Sequence, residues 1–204
     1  MVVNMKFSGY NDSVFINCPF DSQYNPIFRA IIFTIYRCGF YPKCALGEDN
    51  GLYKRLDKIE DCIANCQFGI HDLSRTELSN NLPRFNMPFE LGIFFGAKRF
   101  GNKIQKIKNA LILDIERYRY LTYISDLNGI DIKAHNNDPI NAIKQVRDWL
   151  KSASDRHTIP GHVILIEEYK KFLQNLPSSV KKARLDINDL LFNDYCQIVE
   201  DTLN

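Results

Sequence analysis

The chain has 204 residues, 45% of them apolar and 25% charged, which excludes a disordered composition and leaves room for one sizeable core plus a small addition. A net charge of only +2 leaves no basic footprint and argues against direct nucleic-acid binding, so the local clusters "AKRFGNKIQKIK" and "SSVKKAR" read as solvated faces. "MVVNMKFSGYNDS" carries no secretory signal, no apolar run reaches the length of a membrane span, and the six cysteines follow no zinc spacing; a cytoplasmic setting with reduced thiols, no membrane and no metal is expected.

"SVFINC" (13–18) is a β-branched and aromatic run between turn signals and reads as a strand. "QYNPIFRAIIFTIYRCG" follows with Ile27, Ile31, Ile32, Ile35 and Tyr36 at helical spacing, and Gly39 closes it. "FYPKCAL" is a second, poorer strand, with Pro42 suited to an edge. "LYKRLDKIEDCIANC" predicts an amphipathic helix whose inner face is Leu52, Leu56, Ile59, Ile63 and Cys66.

"QFGIHD" reads as a third strand, and 73–85 as a loop. "MPFELGIFFGAKRFG" is apolar on nearly all sides and predicts a buried helix, with Gly92 and Gly96 allowing close backbone approach. "NALILDI" is a near-continuous apolar run of the kind parallel sheets carry. This alternation over about the first 115 residues predicts an α/β fold, a parallel sheet with helices on both faces. "DPINAIKQVRDWLKSA" adds a helix with Asp138 as N-cap and Pro139 at N1. Two further helical runs, "HVILIEEYKKFLQNL" and "DINDLLFNDYCQIVEDTL", complete the chain. The expected organisation is an α/β domain over 1–155 and a helical appendage over 156–204.

In an open parallel sheet, ligands bind at the carboxyl ends of the strands. Three segments should meet there: "NCPFD", "HDLSR" and the entry to "MPFELG". They bring Asn17, Asp21, Asp72, Ser74, Arg75, Asn86 and Glu90 together, with Met87 at the helix entry. Two carboxylates in one crevice, Asp72 and Glu90, are what catalysis at an anomeric carbon requires. The plainer account makes Glu90 the N3 residue of a capping box, Asn86 an N-cap, Asp72 a turn former and His71 a packing residue. In "GEDNGLYKRLDKI", Arg55 or Lys58 is placed to reach a phosphate, or to pair with Asp57 and Asp61 on a solvated helix face. "DLNGIDIKAH" offers Asp131 or His135 to the crevice rim.

"VFINCPFD", "GIHDLSR" and "RFNMPFELG" resemble a TIR-like branch of the nucleoside 2-deoxyribosyltransferase and TIR superfamily, over about residues 12–100. The resemblance implies a flavodoxin-like sheet and cleavage of the N-glycosidic bond of a nucleoside, a nucleotide or NAD. It places Glu90 as the carboxylate at the anomeric carbon, Asp72 as a holder of base or sugar, and Phe15, Asn17 and Phe20 around the ligand. Arg84 stands where the transferases carry a small or acidic residue, and with Arg75 it adds positive charge suited to a phosphate-bearing ligand such as NAD, as substrate rather than cofactor. Helix-terminal amides are expected to hold the charge of Glu90 against burial. The resemblance further implies an anti-phage effector that self-associates or docks a defence partner through the C-terminal helices, on faces carrying Leu165, Tyr169, Phe172, Leu190 and Phe192. The rival readings are a non-catalytic module that binds a nucleotide signal, a nucleoside or nucleotide 2-deoxyribosyltransferase, and a scaffold whose pocket is vestigial.

Overall fold

Five short strands line up in parallel in the order β2 (Tyr41–Lys43), β1 (Ser13–Asn17), β3 (Phe68–Asp72), β6 (Asn109–Asp114) and β7 (Lys133–Ala134). This computed structural model describes residues 9–76, 78–79 and 82–203, with the backbone alone at 78–79 and 82–83. The opening segment read for a secretory signal lies largely outside the described residues. The parallel strands are as the alternating pattern predicts, and their order is that of the flavodoxin-like doubly wound sheet the resemblance implies, with its switch point between β1 and β3. Pro42 does sit in an edge strand. β7 falls in a stretch that reads as loop; two residues are too few to carry a period of two. Likewise, the expected loop over 73–85 contains a small antiparallel pair, β4 (Leu78–Ser79) and β5 (Leu82–Pro83).

The strand residues alternate between two cores. Val14, Ile16, Phe68, Ile70, Leu111 and Leu113 face α1 (Asn25–Arg37), α4 (Pro139–Ala153), α5 (His162–Lys182) and α6 (Phe192–Leu203). Phe15 faces α2 (Arg55–Ala64) and α3 (Asn86–Phe100), through Ile59, Ile63 and Phe94. A third, smaller cluster joins Leu73, Met87, Leu91 and Ile112 to Tyr120, Leu127 and Ile132 of the segment after β6.

Local chemistry sets several boundaries where the sequence places them. Asp138 accepts the Ile140 amide at 2.9 Å, with Pro139 opening α4 behind it. Past α1, Gly39 takes a left-handed φ of 81°, where a Cβ would be strained. Other boundaries differ. α2 starts at Arg55, so Leu52 is 92% exposed and Leu56 also lies outside the core. α5 runs through Pro177 to Lys182, because Leu176 and Val180 are buried on either side of it and hold the turn together. α6 starts only at Phe192, after a turn in which Asp186 accepts the Asn188 amide.

α3 is not buried all round. Phe89 and Phe100 are exposed, and a Cβ built at Gly92 or Gly96 would meet nothing within 4 Å. The glycine whose backbone is closely approached is Gly69 in β3, where a Cβ would lie 2.7 Å from Phe94 and 2.9 Å from His71 Nε2. Gly69→Ala is therefore expected to destabilise the chain by about 1–3 kcal/mol through overpacking, read as a lower urea midpoint at unchanged slope.

The C-terminal helices lie on α1. Phe33 sits 5.1 Å, ring to ring, from both Tyr169 and Phe172. Leu165, Tyr169 and Phe172, expected as a docking face, are buried inside the chain's own core. Leu190 and Phe192 are partly buried against that core. No helix of the described residues is long and apolar enough to cross a membrane.

Candidate active site

β1 and β3 end side by side at the switch point, and the loops above them open the crevice where ligands of such sheets bind. Glu90, in α3 (Asn86–Phe100), lies within electrostatic reach of Cys18, which follows β1, and of Arg55 at the start of α2. α3 begins at Asn86 with Phe85 at its N-cap and no side-chain cap bond, so Glu90 falls in the second turn rather than at N3. The capping-box account does not apply, and Asn86 is an exposed first-turn residue rather than a cap. Glu90 as a whole residue is 7% exposed, and its carboxylate accepts no hydrogen bond among the described residues. Burial pushes its pKa up to about 7, against the pull of the Arg55 guanidinium. The expected support from helix-terminal amides is missing because free N–H groups belong to the first turn, and Glu90 lies beyond it.

Asp72 has the opposite environment. It is fully buried and turns toward α1, since alternation along β3 sends His71 to one face and Asp72 to the other. The Tyr24 hydroxyl donates to its Oδ2 at 2.7 Å and the Ser74 amide to its Oδ1 at 2.9 Å. His135 Nε2 lies 3.1 Å from Oδ2, while His135 Nδ1 accepts the Asn137 amide, which puts the ring hydrogen on Nε2. Burial pushes the Asp72 pKa up, but the interactions with His135, Ser74 and Tyr24 outweigh it and hold the carboxyl below its ordinary value. The two carboxylates thus do not enter the crevice as a facing pair. Asp72 holds the loop after β3 in place, and Glu90 is left with the free carboxylate chemistry.

Asn17 and His71 turn to the α3 side. Asn17 Nδ2 donates to the Met87 carbonyl at 2.9 Å and lies 3.1 Å from His71 Nδ1, tying the end of β1 to the start of α3 and so fixing where Glu90 stands. His71 packs edge-on against Phe94 and Phe15. Its pKa is lowered to about 3, first by burial and then by Lys108, so it is neutral and packs rather than reacts.

The remaining expected contacts divide. Phe15 is a core residue and Met87 buries its side chain in the small cluster; neither side chain reaches the crevice. Arg75 is already engaged, 3.3 Å from Asp21 and bonded to Gln23, so the pair closes the loop after β1 and does not offer a free charge. Arg84 is exposed at the entry to α3. Arg55 opens α2 with its guanidinium 6.0 Å from the centre of the half-exposed Phe20 ring. Lys58 donates to the Glu48 carbonyl and braces the loop before α2. Ser74 is buried, and its hydroxyl lacks a hydrogen-bond partner among the described residues. Of the two rim candidates, His135 reaches Asp72, while Asp131 stays outside beside Lys133.

Tyr24 was not foreseen, nor was the brace behind the loop after β3. There Arg119 pairs with Asp114 at 2.6 Å and donates to the Leu73 carbonyl, which also accepts the Tyr123 hydroxyl. A signal existed for that brace: Asp114 ends an apolar strand just as Asp72 does. No family model, curated protein or solved structure matches this chain.

Proposed function

We propose that the chain is an N-glycosidase that cleaves the bond between base and ribose in NAD or a related nucleotide. The observation that supports this reading is Glu90, a buried carboxylate with no hydrogen-bond donor among the described residues, within electrostatic range of Cys18 after β1 and of Arg55. A poorly solvated anion of this kind gains most from a positive charge that appears only as the reaction proceeds. When the C1′–N bond breaks, the bonding pair leaves with the base and the sugar carbon becomes oxocarbenium-like. The Glu90 carboxylate then stabilises that carbon or bonds to it, and water as acceptor completes hydrolysis. A second base as acceptor gives exchange instead. Arg55 and Arg84 are the cations for the phosphates, and Phe20 flanks the ligand. Asp72 acts by positioning, through Ser74 and the loop it anchors. The cytoplasmic setting, argued from the sequence, is part of the same proposal, and the anti-phage role rests on the resemblance alone.

The test is to incubate the chain with NAD, and separately with nucleotides and deoxynucleotides, and follow free base by chromatography between pH 5 and 9. Because the reactive form is the carboxylate, kcat/KM is expected to rise with pH through about 7 and then level off. A rate that falls over that range would make Glu90 a proton donor and overturn the mechanism. Ligand binding with no base released at any pH would favour a nucleotide sensor.

A further inference from the structure

We propose that the basin beside edge strand β7 is a second binding site, for a nucleoside monophosphate. It is a recess of 640 Å³ between the segment after β6, β7 and the first turns of α4, and neither Glu90 nor Arg55 lines it. Three cations line it, Arg117, Lys133 and Lys144, against one carboxylate, Asp131. Asp131 is spent on Lys133 at 2.5 Å, and Arg117 and Lys144 have no ion pair or hydrogen bond among the described residues. With Asp131 paired to Lys133, Arg117 and Lys144 leave the recess positively charged, and a phosphate would offset that charge.

The rest of the lining fits the nucleoside. Asn141 and Gln145 stand one turn apart on α4, and carboxamides carry both the donors and the acceptors that a base or ribose edge needs. Tyr118 holds a left-handed φ of 66° with its ring 68% exposed at the basin wall. A bulky residue in that conformation is strained, and such strain collects at ligand sites. Left-handed backbone recurs around the basin at Gly129 and Asn136. An exposed planar ring over a cationic recess gives the base a surface to stack on.

This site stands independently of the glycosidase reading, and its test measures binding alone. The full chain is titrated calorimetrically with AMP, GMP, CMP and UMP in turn, and with inorganic phosphate. At least one nucleotide is expected to bind. The Arg117→Ala/Lys144→Ala double variant should weaken that binding about tenfold or more, while Lys181→Ala, an exposed cation of α5 outside this basin and the Glu90 site, leaves it within about twofold. Tyr118→Gly, which removes the ring and relieves the φ, should weaken binding without lowering the melting temperature. The proposal is overturned if no nucleotide binds up to about 1 mM. Binding that survives the double variant, or that Lys181→Ala weakens as much as the double variant does, also overturns it. Phosphate binding as tightly as the best nucleotide would reject the nucleoside part.

Discussion

Glu90→Gln is expected to abolish base release and, above neutral pH, to make the protein more stable. The loss of activity follows from the proposed chemistry: a neutral amide neither bonds to C1′ nor balances its charge, and removal of a central electrostatic group costs about 10³-fold or more. The gain in stability follows from burial. The Glu90 pKa is raised from 4.5 to about 7 in the folded chain. Between those values the folded state holds a proton that the unfolded chain has released, so stability falls as pH rises across that window. At pH 8 the folded chain bears the whole cost of an ionised Glu90, roughly 2–3 kcal/mol, and glutamine escapes it. For a chain of this size that is a rise in Tm of roughly 5–10 °C. At pH 4, below both pKa values, the two proteins should melt together. Scanning calorimetry at the two pH values decides the matter. A variant less stable than the parent at pH 8 would mean that Glu90 has a stabilising partner, and the argument for an unsatisfied carboxylate would fail.

Asp72→Ala carries the second large effect, in the opposite direction. It leaves the Tyr24 hydroxyl, the Ser74 amide and His135 Nε2 facing an empty, buried site. Losing one side of a buried charged cluster costs about 3–5 kcal/mol, so a strongly lowered urea midpoint at pH 7 is expected. Tyr24→Phe, which removes one donor and leaves the carboxylate otherwise held, should cost only about 1 kcal/mol. The Asp72 pKa is depressed in the fold, so its contribution is present above the ordinary carboxylate range and is lost as pH falls through the folded value. The gap between the parent and Asp72→Ala should therefore narrow in acid. A stable Asp72→Ala protein that had lost only ligand affinity would make Asp72 a ligand contact after all.

These two carboxylates explain the division of labour at the crevice. Asp72 sits among donors, stays ionised and holds the loop that carries Ser74. Glu90 has no donor among the described residues, and burial pushes its pKa up to about 7. The same residue type behaves in opposite ways because one carboxylate is met by N–H and O–H donors and the other is buried without them among the described residues. Asn17 connects the two regions by fixing the start of α3 to the end of β1.

The sequence by itself determined the features that depend on near neighbours. The apolar runs at 13–17, 68–72 and 109–114 are long enough to announce buried parallel strands, and the helical period of α1 and α4 is complete. Asp138 with Pro139 is a local cap, and Gly39 a local stop, so both are legible without the rest of the chain. Glu90 stands out in the sequence as a carboxylate among apolar residues. Its escape from the capping role was not visible, because the start of α3 depends on Asn17 reaching across to Met87.

Only the tertiary structure decided which face Asp72 turns to and what holds it there. Its partners Tyr24 and His135 come from distant segments, and no spacing along the chain encodes that meeting. The burial of Leu165, Tyr169 and Phe172 was decided in the same way: an amphipathic face shows that a helix must be covered, not what covers it. Hydrophobic period records which residues leave water. Which remote donor reaches a buried charge, and so whether that charge is stable or poised to react, is settled only when the chain has closed on itself.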